Sequence, residues 1–533
     1  MILVIRIRQI KVPIKADTRE EIISRISKKL KIKENLIDEY KIVKKSIDAR
    51  DKSNILFIYE VDVKCSEEGK ILKKNKSNDI FETPLEVYEF PVLGTTPLNG
   101  KIVIVGSGPS GLFAAYMLAS AGYKPLVLER GEKIEDRVKT VEDFFQNNKL
   151  NIDSNIQFGE GGAGTFSDGK LNTLTKDKFN RAKRVFEIFV ENGASEEIMY
   201  LNKPHIGTDI LRQVIINMRN KIMSMGGEFR YSSMVTDLKI ENNKIAGVEV
   251  NNQEIIPTSV VILAIGHSAR ETFYMLKDKG ILMRAKNFAV GVRIEHPQEM
   301  ISRSQYGDKY KLLEPASYKL TYQTSKGRGV YSFCMCPGGF VVNASSEEGC
   351  LVVNGMSNYK RDEANANSAL IVTVGKDDFG NDPLSGVEFQ RMLEKKAYEL
   401  GNGLIPIQLY ADFVEGCVSK SIGEVVPNTK GRYTFADLNQ LLPSYISEAL
   451  KEAIPYFDKK IKGFARKDAV LLGIESRTSS PVVIVRDEEG VSNIEGLYPC
   501  GEGAGYAGGI TTSAIDGVKV AEKIAKTYKN SNK

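Results

Sequence analysis

The chain has 533 residues, 42% hydrophobic and 27% charged, with a formal net charge of +6 at pH 7. That length supports several domains with sizeable cores, and so small and interspersed a charge excess argues against a nucleic-acid partner. No stretch approaches the roughly 18 apolar residues of a membrane span, and the six scattered cysteines form neither a disulfide framework nor, with the histidines, a metal-ligand spacing.

At the start, Arg6, Arg8 and Lys11 interrupt any signal-peptide core, which predicts a cytoplasmic protein with no membrane partner. Leu3, Ile5, Ile7 and Ile10 follow the alternation of a strand, and Ile22, Ile23, Ile26 and Leu30 recur at helical spacing. Strand-like runs from Lys41 to Ile47 and Asn54 to Lys64, then a helix and strand up to Phe90, complete a small α/β domain over 1–95. A ferredoxin-like arrangement is one reading of it. Pro91 to Gly100, with two prolines and Gly94, reads as a linker.

The strand Ile102 to Val105 then runs into Gly106-Ser107-Gly108-Pro109-Ser110-Gly111 and a helix, and eighteen residues past Gly111 a second apolar strand ends on Glu129. This spacing predicts a dinucleotide site. Gly106 allows the turn, Gly108 lets backbone approach a pyrophosphate, Gly111 permits close helix–sheet packing, and the helix start at Pro109 and Ser110 points free N–H groups at the phosphates. Glu129 is placed to accept the adenosine ribose hydroxyls and to repel a 2′-phosphate, favouring FAD or NAD over NADP. Arg130 is grouped with it.

A glycine-rich stretch, Phe158 to Lys170, follows. Ordering five glycines there without a ligand would be entropically costly, so Gly161, Gly164 and Lys170 are expected against the cofactor. Helices are predicted near 180–192 and 208–225, then alternating strands turning at Asn242-Asn243 and Asn251-Asn252, then the buried run Val260 to Gly266. Residues 100–286 are read as the first part of the FAD-binding domain, 287–462 as an inserted α+β substrate domain, and 463–533 as the returning part. In that last part the glycine-rich segment Gly496 to Ser513 leads into a closing helix. Gly501, Glu502, Gly509, Ile510 and Thr511 are its candidate cofactor residues, because a helix start there would stabilise an anionic reduced flavin.

Several blocks resemble the largely uncharacterised bacterial FAD-dependent dehydrogenases of the glutathione-reductase-like flavoprotein superfamily. They are Phe158 to Leu171, Lys203 to Asp209, Leu263 to Arg270, Phe288 to Gln298, Tyr331 to Gly339, Glu475 to Pro481 and Tyr498 to Ile510, and the N-terminal Ser46 to Arg50 is a shorter match. The resemblance implies an FAD oxidoreductase with a discontinuous Rossmann-like α/β domain carrying a three-stranded β-meander. It also implies that Val235 holds adenine through its backbone, that Gly266 lies at the cofactor and that Glu502 contacts the ribityl chain.

For chemistry, His267 and Arg477 are candidates for the substrate cavity, as a proton exchanger and a carboxylate clamp; a backbone-satisfied turn histidine and a structural ion pair are the competing readings. Cys334 and Cys336 could exchange electrons with a flavin or could be buried packing thiols. His205, His296 and Cys500 read as structural. One dinucleotide fingerprint means that a NAD(P)H donor, if used, visits the small-molecule substrate cavity transiently. An RNA-acting flavoprotein, with the N-terminal domain as binding module, is the alternative, and a flavin-containing sensor a third; the oligomeric state is left open.

Overall fold

The computed structural model describes residues 4–66, 68–75, 77–172 and 177–530. Its centre is a five-stranded parallel sheet in the order Leu497–Pro499, Val261–Leu263, Val103–Val105, Leu126–Leu128, Glu228–Arg230. The inner strands are continuous apolar runs because helices or the meander cover both faces. The fingerprint helix Pro109–Ser120 and the closing helix Ile510–Thr527 cross closely on one face: a Cβ at Gly517 would stand 2.2 Å from the Ser110 carbonyl oxygen. On the other face lies an antiparallel meander, Val235–Glu241, Lys244–Val250 and Glu254–Pro257. Both of its turns place paired asparagines at positive φ, 48° and 64° at Asn242-Asn243 and 53° and 55° at Asn251-Asn252; the first is the two-residue hairpin that requires this, and the second closes a three-residue loop.

The insert is built on a seven-stranded sheet, in the order Thr321–Gln323, Gly329–Cys336, Asn365–Val374, Phe288–Pro297, Val470–Glu475, Ile405–Leu409, Tyr433–Phe435. The return was expected at 463. Val470–Glu475 pairs with Phe288–Pro297 and Ile405–Leu409 inside the insert, because its fully buried side chains complete that core. Met283–Ala285 and Val482–Ile484 pair antiparallel, so the chain leaves the central domain and returns to it side by side.

The N-terminal sheet is antiparallel, in the order Ile37–Asp48, Leu56–Cys65, Ile5–Pro13, Ile80–Glu82. The odd spacing from Ile7 to Ile10 is absorbed by a bulge with Gln9 at φ 57°, which keeps both isoleucines in the core. The predicted linker is strapped down: Gly94 N–H donates to the Ala525 carbonyl (2.7 Å) and Lys529 N–H to that of Thr96 (2.8 Å). A Cβ at Gly94 would lie 2.4 Å from backbone of the closing helix, so glycine here serves close approach and not looseness. Among the described residues no helix is long and apolar enough to cross a membrane.

Candidate functional site

The two glycine turns, about 400 residues apart in the chain, meet on one cavity of about 370 Å³. Its wall includes Gly106, Gly108, Pro109, Ser110, Glu129, Arg130, Gly164, Lys170, Val235, Gly266, His267, Cys334, Arg477, Glu502, Gly509 and Ile510. Five predicted residues lie behind that wall, four of them because they hold the turns together. A Cβ on Gly111 would sit 2.0 Å from the Gly106 carbonyl oxygen, and one on Gly501 would sit 2.4 Å from Ser110 Oγ. Gly161 N–H donates to the Ser107 carbonyl (3.0 Å), and Thr511 Oγ1 to that of Leu171 (2.8 Å). Cys336 is fully buried in the insert.

Glu129 ends the second parallel strand, buried, and its carboxylate accepts from Ser107 N–H (2.9 Å) and Oγ (2.7 Å) and from the N–H groups of Gly131 and Gly159 (3.0 Å each). The acid therefore arrives pre-oriented by the fingerprint loop and the glycine-rich loop together. That second loop is organised by Arg137, a fully buried residue that sequence reading missed. Its guanidinium donates to the carbonyls of Asn155, Ile156, Gly159, Glu160 and Gly162 at 2.7–3.2 Å. Burial pushes it down to about 9. We expect Arg137→Met to loosen 155–170 and shed cofactor, since each buried carbonyl left bare costs about 1–3 kcal/mol. Limited proteolysis and the flavin-to-protein absorbance ratio check this; an unchanged cleavage pattern with full flavin would refute it.

The glycine-rich loop is pinned to the insert by Asp168, which Arg361 holds bidentately and Ser357 and Lys170 (3.3 Å) also contact. Burial opposes the charge on Asp168, but Lys170 and Arg361 outweigh it and hold the carboxyl at about 2. The Lys170 ammonium is opposed by burial and raised by Asp168, so a fixed positive charge stands on the cavity wall.

Arg477 corrects an expectation. Its Nε and Nη2 grip Glu394 (3.0 and 2.7 Å), and Nη1 donates to Ser268 (3.0 Å) and Ser346 (2.5 Å), so it is not a free carboxylate clamp. Arg270 grips the same carboxylate from the other side at 2.7 and 2.9 Å. A second buried pair joins Arg293 Nε to Glu475 (2.9 Å), while both Arg293 Nη atoms donate to the Cys334 carbonyl (3.3 Å). They fix a β-bulge in which Cys334, at φ 47°, reaches the cavity. Burial pushes the Cys336 thiol up to about 11, away from the thiolate that redox exchange needs, so of the two readings its surroundings favour the buried packing thiol. The charged residues inside the otherwise apolar strand Phe288–Pro297 were the signal available for this pair.

His267 and Glu502 come together from distant turns, with Nδ1 3.1 Å from Oε1. The other nitrogen, Nε2, is buried and has no hydrogen-bond partner among the described residues. His205 Nε2 meets the Tyr359 carbonyl (2.9 Å) and His296 Nε2 that of Phe464 (2.8 Å), while Cys500 is buried.

These residues fit FAD. Bare glycine backbone faces the cavity at Gly108, a helix starts at Pro109, an acid ends the second strand, and a second glycine turn shares the wall. Residues 287–478 match the family described as FAD-dependent protein, C-terminal domain-like, residues 104–160 a NAD(P)-binding Rossmann-like domain, and residues 4–64 a domain of unknown function. An uncharacterised protein of Clostridium beijerinckii is 49% identical over 511 residues, 95% of each chain. An L-amino-acid oxidase of Bothrops atrox is 41% identical over 76 residues, 14% of this chain and 15% of that one. Among solved structures, L-proline dehydrogenase from P. horikoshii aligns with 81% of this chain and 94% of its own, at 15% identity and a TM-score of 0.34.

Proposed function

We propose, for a chain that belongs to the same family as the Clostridium beijerinckii protein and is an FAD-dependent oxidoreductase, that one cavity holds both the flavin and a small-molecule substrate. The observation that carries this is the convergence of Gly106–Gly108 and Gly508–Gly509 on a cavity that also presents His267. When bound, FAD supplies a two-electron hydride acceptor or donor at N5. The chain's own part is to seat the ribose at Glu129 and the pyrophosphate at Gly108, to hold a positive charge at Lys170, and to exchange the substrate proton at His267. With Glu502 accepting from Nδ1–H, Nε2 keeps its lone pair as a buried base on the cavity wall. A nicotinamide donor would visit this same cavity.

The cofactor domain in this reading is 100–286 joined by 479–533, with the insert at 287–478. The meander supports a glutathione-reductase-like kinship, and the βαββαβ order of the N-terminal unit supports a ferredoxin-like sheet. Against the RNA reading, some of the basic residues of that unit are spent in ion pairs, Arg6 with Asp62 and Glu86 (2.8 Å each), Lys45 with Asp17 (2.9 Å) and Lys29 with Asp79 (3.0 Å).

The test is anaerobic flavin bleaching by NADH, NADPH and a metabolite panel, repeated on His267→Ala across pH. The variant should keep its flavin, lose roughly 10²–10⁴ in rate, and lose the limb of the pH profile that reports the base. A full rate and unaltered profile in His267→Ala would remove the histidine from the mechanism; no bleaching by any compound would remove the enzyme reading.

A further inference from the structure

A second concavity, of about 300 Å³, lies on the Gly505–Gly508 turn, and Lys286, Ser479, Thr512, Asp516 and Lys519 contribute to its lining. Gly508 belongs to the walls of both cavities, and a Cβ there would meet no atom within 4 Å. The partition at that point is bare backbone.

The lining is electrically one-sided. Its one acid, Asp516, is already neutralised: it accepts from Arg486 Nη2 and Nη1 at 2.7 and 3.0 Å and from Gly501 N–H at 2.8 Å. The two lysines have no carboxylate partner within ion-pair distance among the described residues. Lys286 Nζ donates to the Gly505 carbonyl (2.9 Å) and retains two further N–H donors. Burial lowers its affinity for the proton, the mark of an ammonium that a counter-charge would relieve. Two ammonium groups without a paired carboxylate, Lys286 feeling only the more distant charge of Glu502, stand with hydroxyls from Ser479 and Thr512 in the same lining and form a receptor for an oxyanion.

We infer that this concavity is an oxyanion site, taking the phosphate or carboxylate group of the small molecule that reacts with the flavin next door. The inference rests on the FAD reading of the first cavity and adds to it a substrate class: the reaction partner is an anion, and Lys286 and Lys519 set its affinity. Arg477 cannot serve this purpose, being committed to Glu394.

The experiment is calorimetric titration of the flavin-loaded protein with inorganic pyrophosphate and, separately, succinate, at constant ionic strength. Lys286→Ala/Lys519→Ala is compared with Lys526→Ala/Lys529→Ala, which removes equal charge from exposed positions. One of the two anions should bind, at least tenfold more weakly to the first double variant and within twofold of the unsubstituted protein to the second. The anion that binds names the source, phosphoryl or carboxyl. Binding of neither anion, or equal loss in both double variants, overturns the site. Flavin content measured on the same samples separates this from a failure of the FAD reading, which would show as colourless protein before any anion is added.

Discussion

Gly108→Val is expected to give a folded protein that does not retain FAD. Gly108 has an ordinary φ of −69°, so valine strains no backbone there. A Cβ built on it meets only the Gly162 Cα, at 3.9 Å, so the protein itself leaves room for the first atom of the side chain. That room is the cavity, where the valine methyl groups would occupy the phosphate approach. A loss of at least a hundredfold in FAD affinity, about 2.7 kcal/mol, should appear as colourless protein with an unchanged far-ultraviolet dichroism spectrum. Gly111→Ala should instead disturb the fold itself, because its Cβ would stand 2.0 Å from the Gly106 carbonyl oxygen and push the helix off the sheet. Yellow Gly108→Val protein would defeat the proposed mode of binding.

Glu394→Gln is expected to cost about 3–5 kcal/mol of stability, because it leaves buried guanidinium charge without its partner. The carboxylate accepts from Arg270, Arg477 and Ser476 Oγ (2.6 Å), and is itself fully buried. Only Arg270 has another acid, Glu347 at 2.9 Å. Burial opposes ionisation of Glu394, yet the two arginines outweigh it and hold the carboxyl far below its ordinary value of 4.5. A depressed folded-state value means the contribution is complete above about 4.5 and is lost as pH falls further. Thermal unfolding midpoints should therefore be lower for the variant at neutral pH and should converge with those of the unsubstituted protein as the medium is acidified below that range. A neutral-pH midpoint shifted by less than about 1 kcal/mol equivalent would show that the network does not hold the two domains.

Expectations drawn from local pattern fared differently from those that depend on distant partners. Strand, glycine turn, helix and terminal acid are adjacent in the chain, and their steric requirements are local, so the turn at Gly106 and Gly108 and the acid Glu129 that share one cavity wall were legible, as were the Asn-Asn turns of the meander. The pairing of Val470–Glu475 was not legible, because an apolar run shows that it is buried without showing which sheet buries it. For Arg477 the clamp and the structural ion pair both stayed open, because a lone arginine in a sequence carries no record of a carboxylate 83 positions away.

The sequence by itself determined the cofactor class and the meander, since these follow from φ preferences, apolar periodicity and the lack of a Cβ at particular glycines. Only the tertiary structure decided which charges are spent in holding the molecule and which are left for a ligand: Arg137, Arg270, Arg293 and Arg477 are committed and Lys170 is paired with Asp168, whereas Lys286 and the His267 Nε2 face outcomes that bound molecules decide. The physical reason is that periodicity encodes burial, but the fate of a buried charge depends on distances of a few ångströms between segments far apart in the chain.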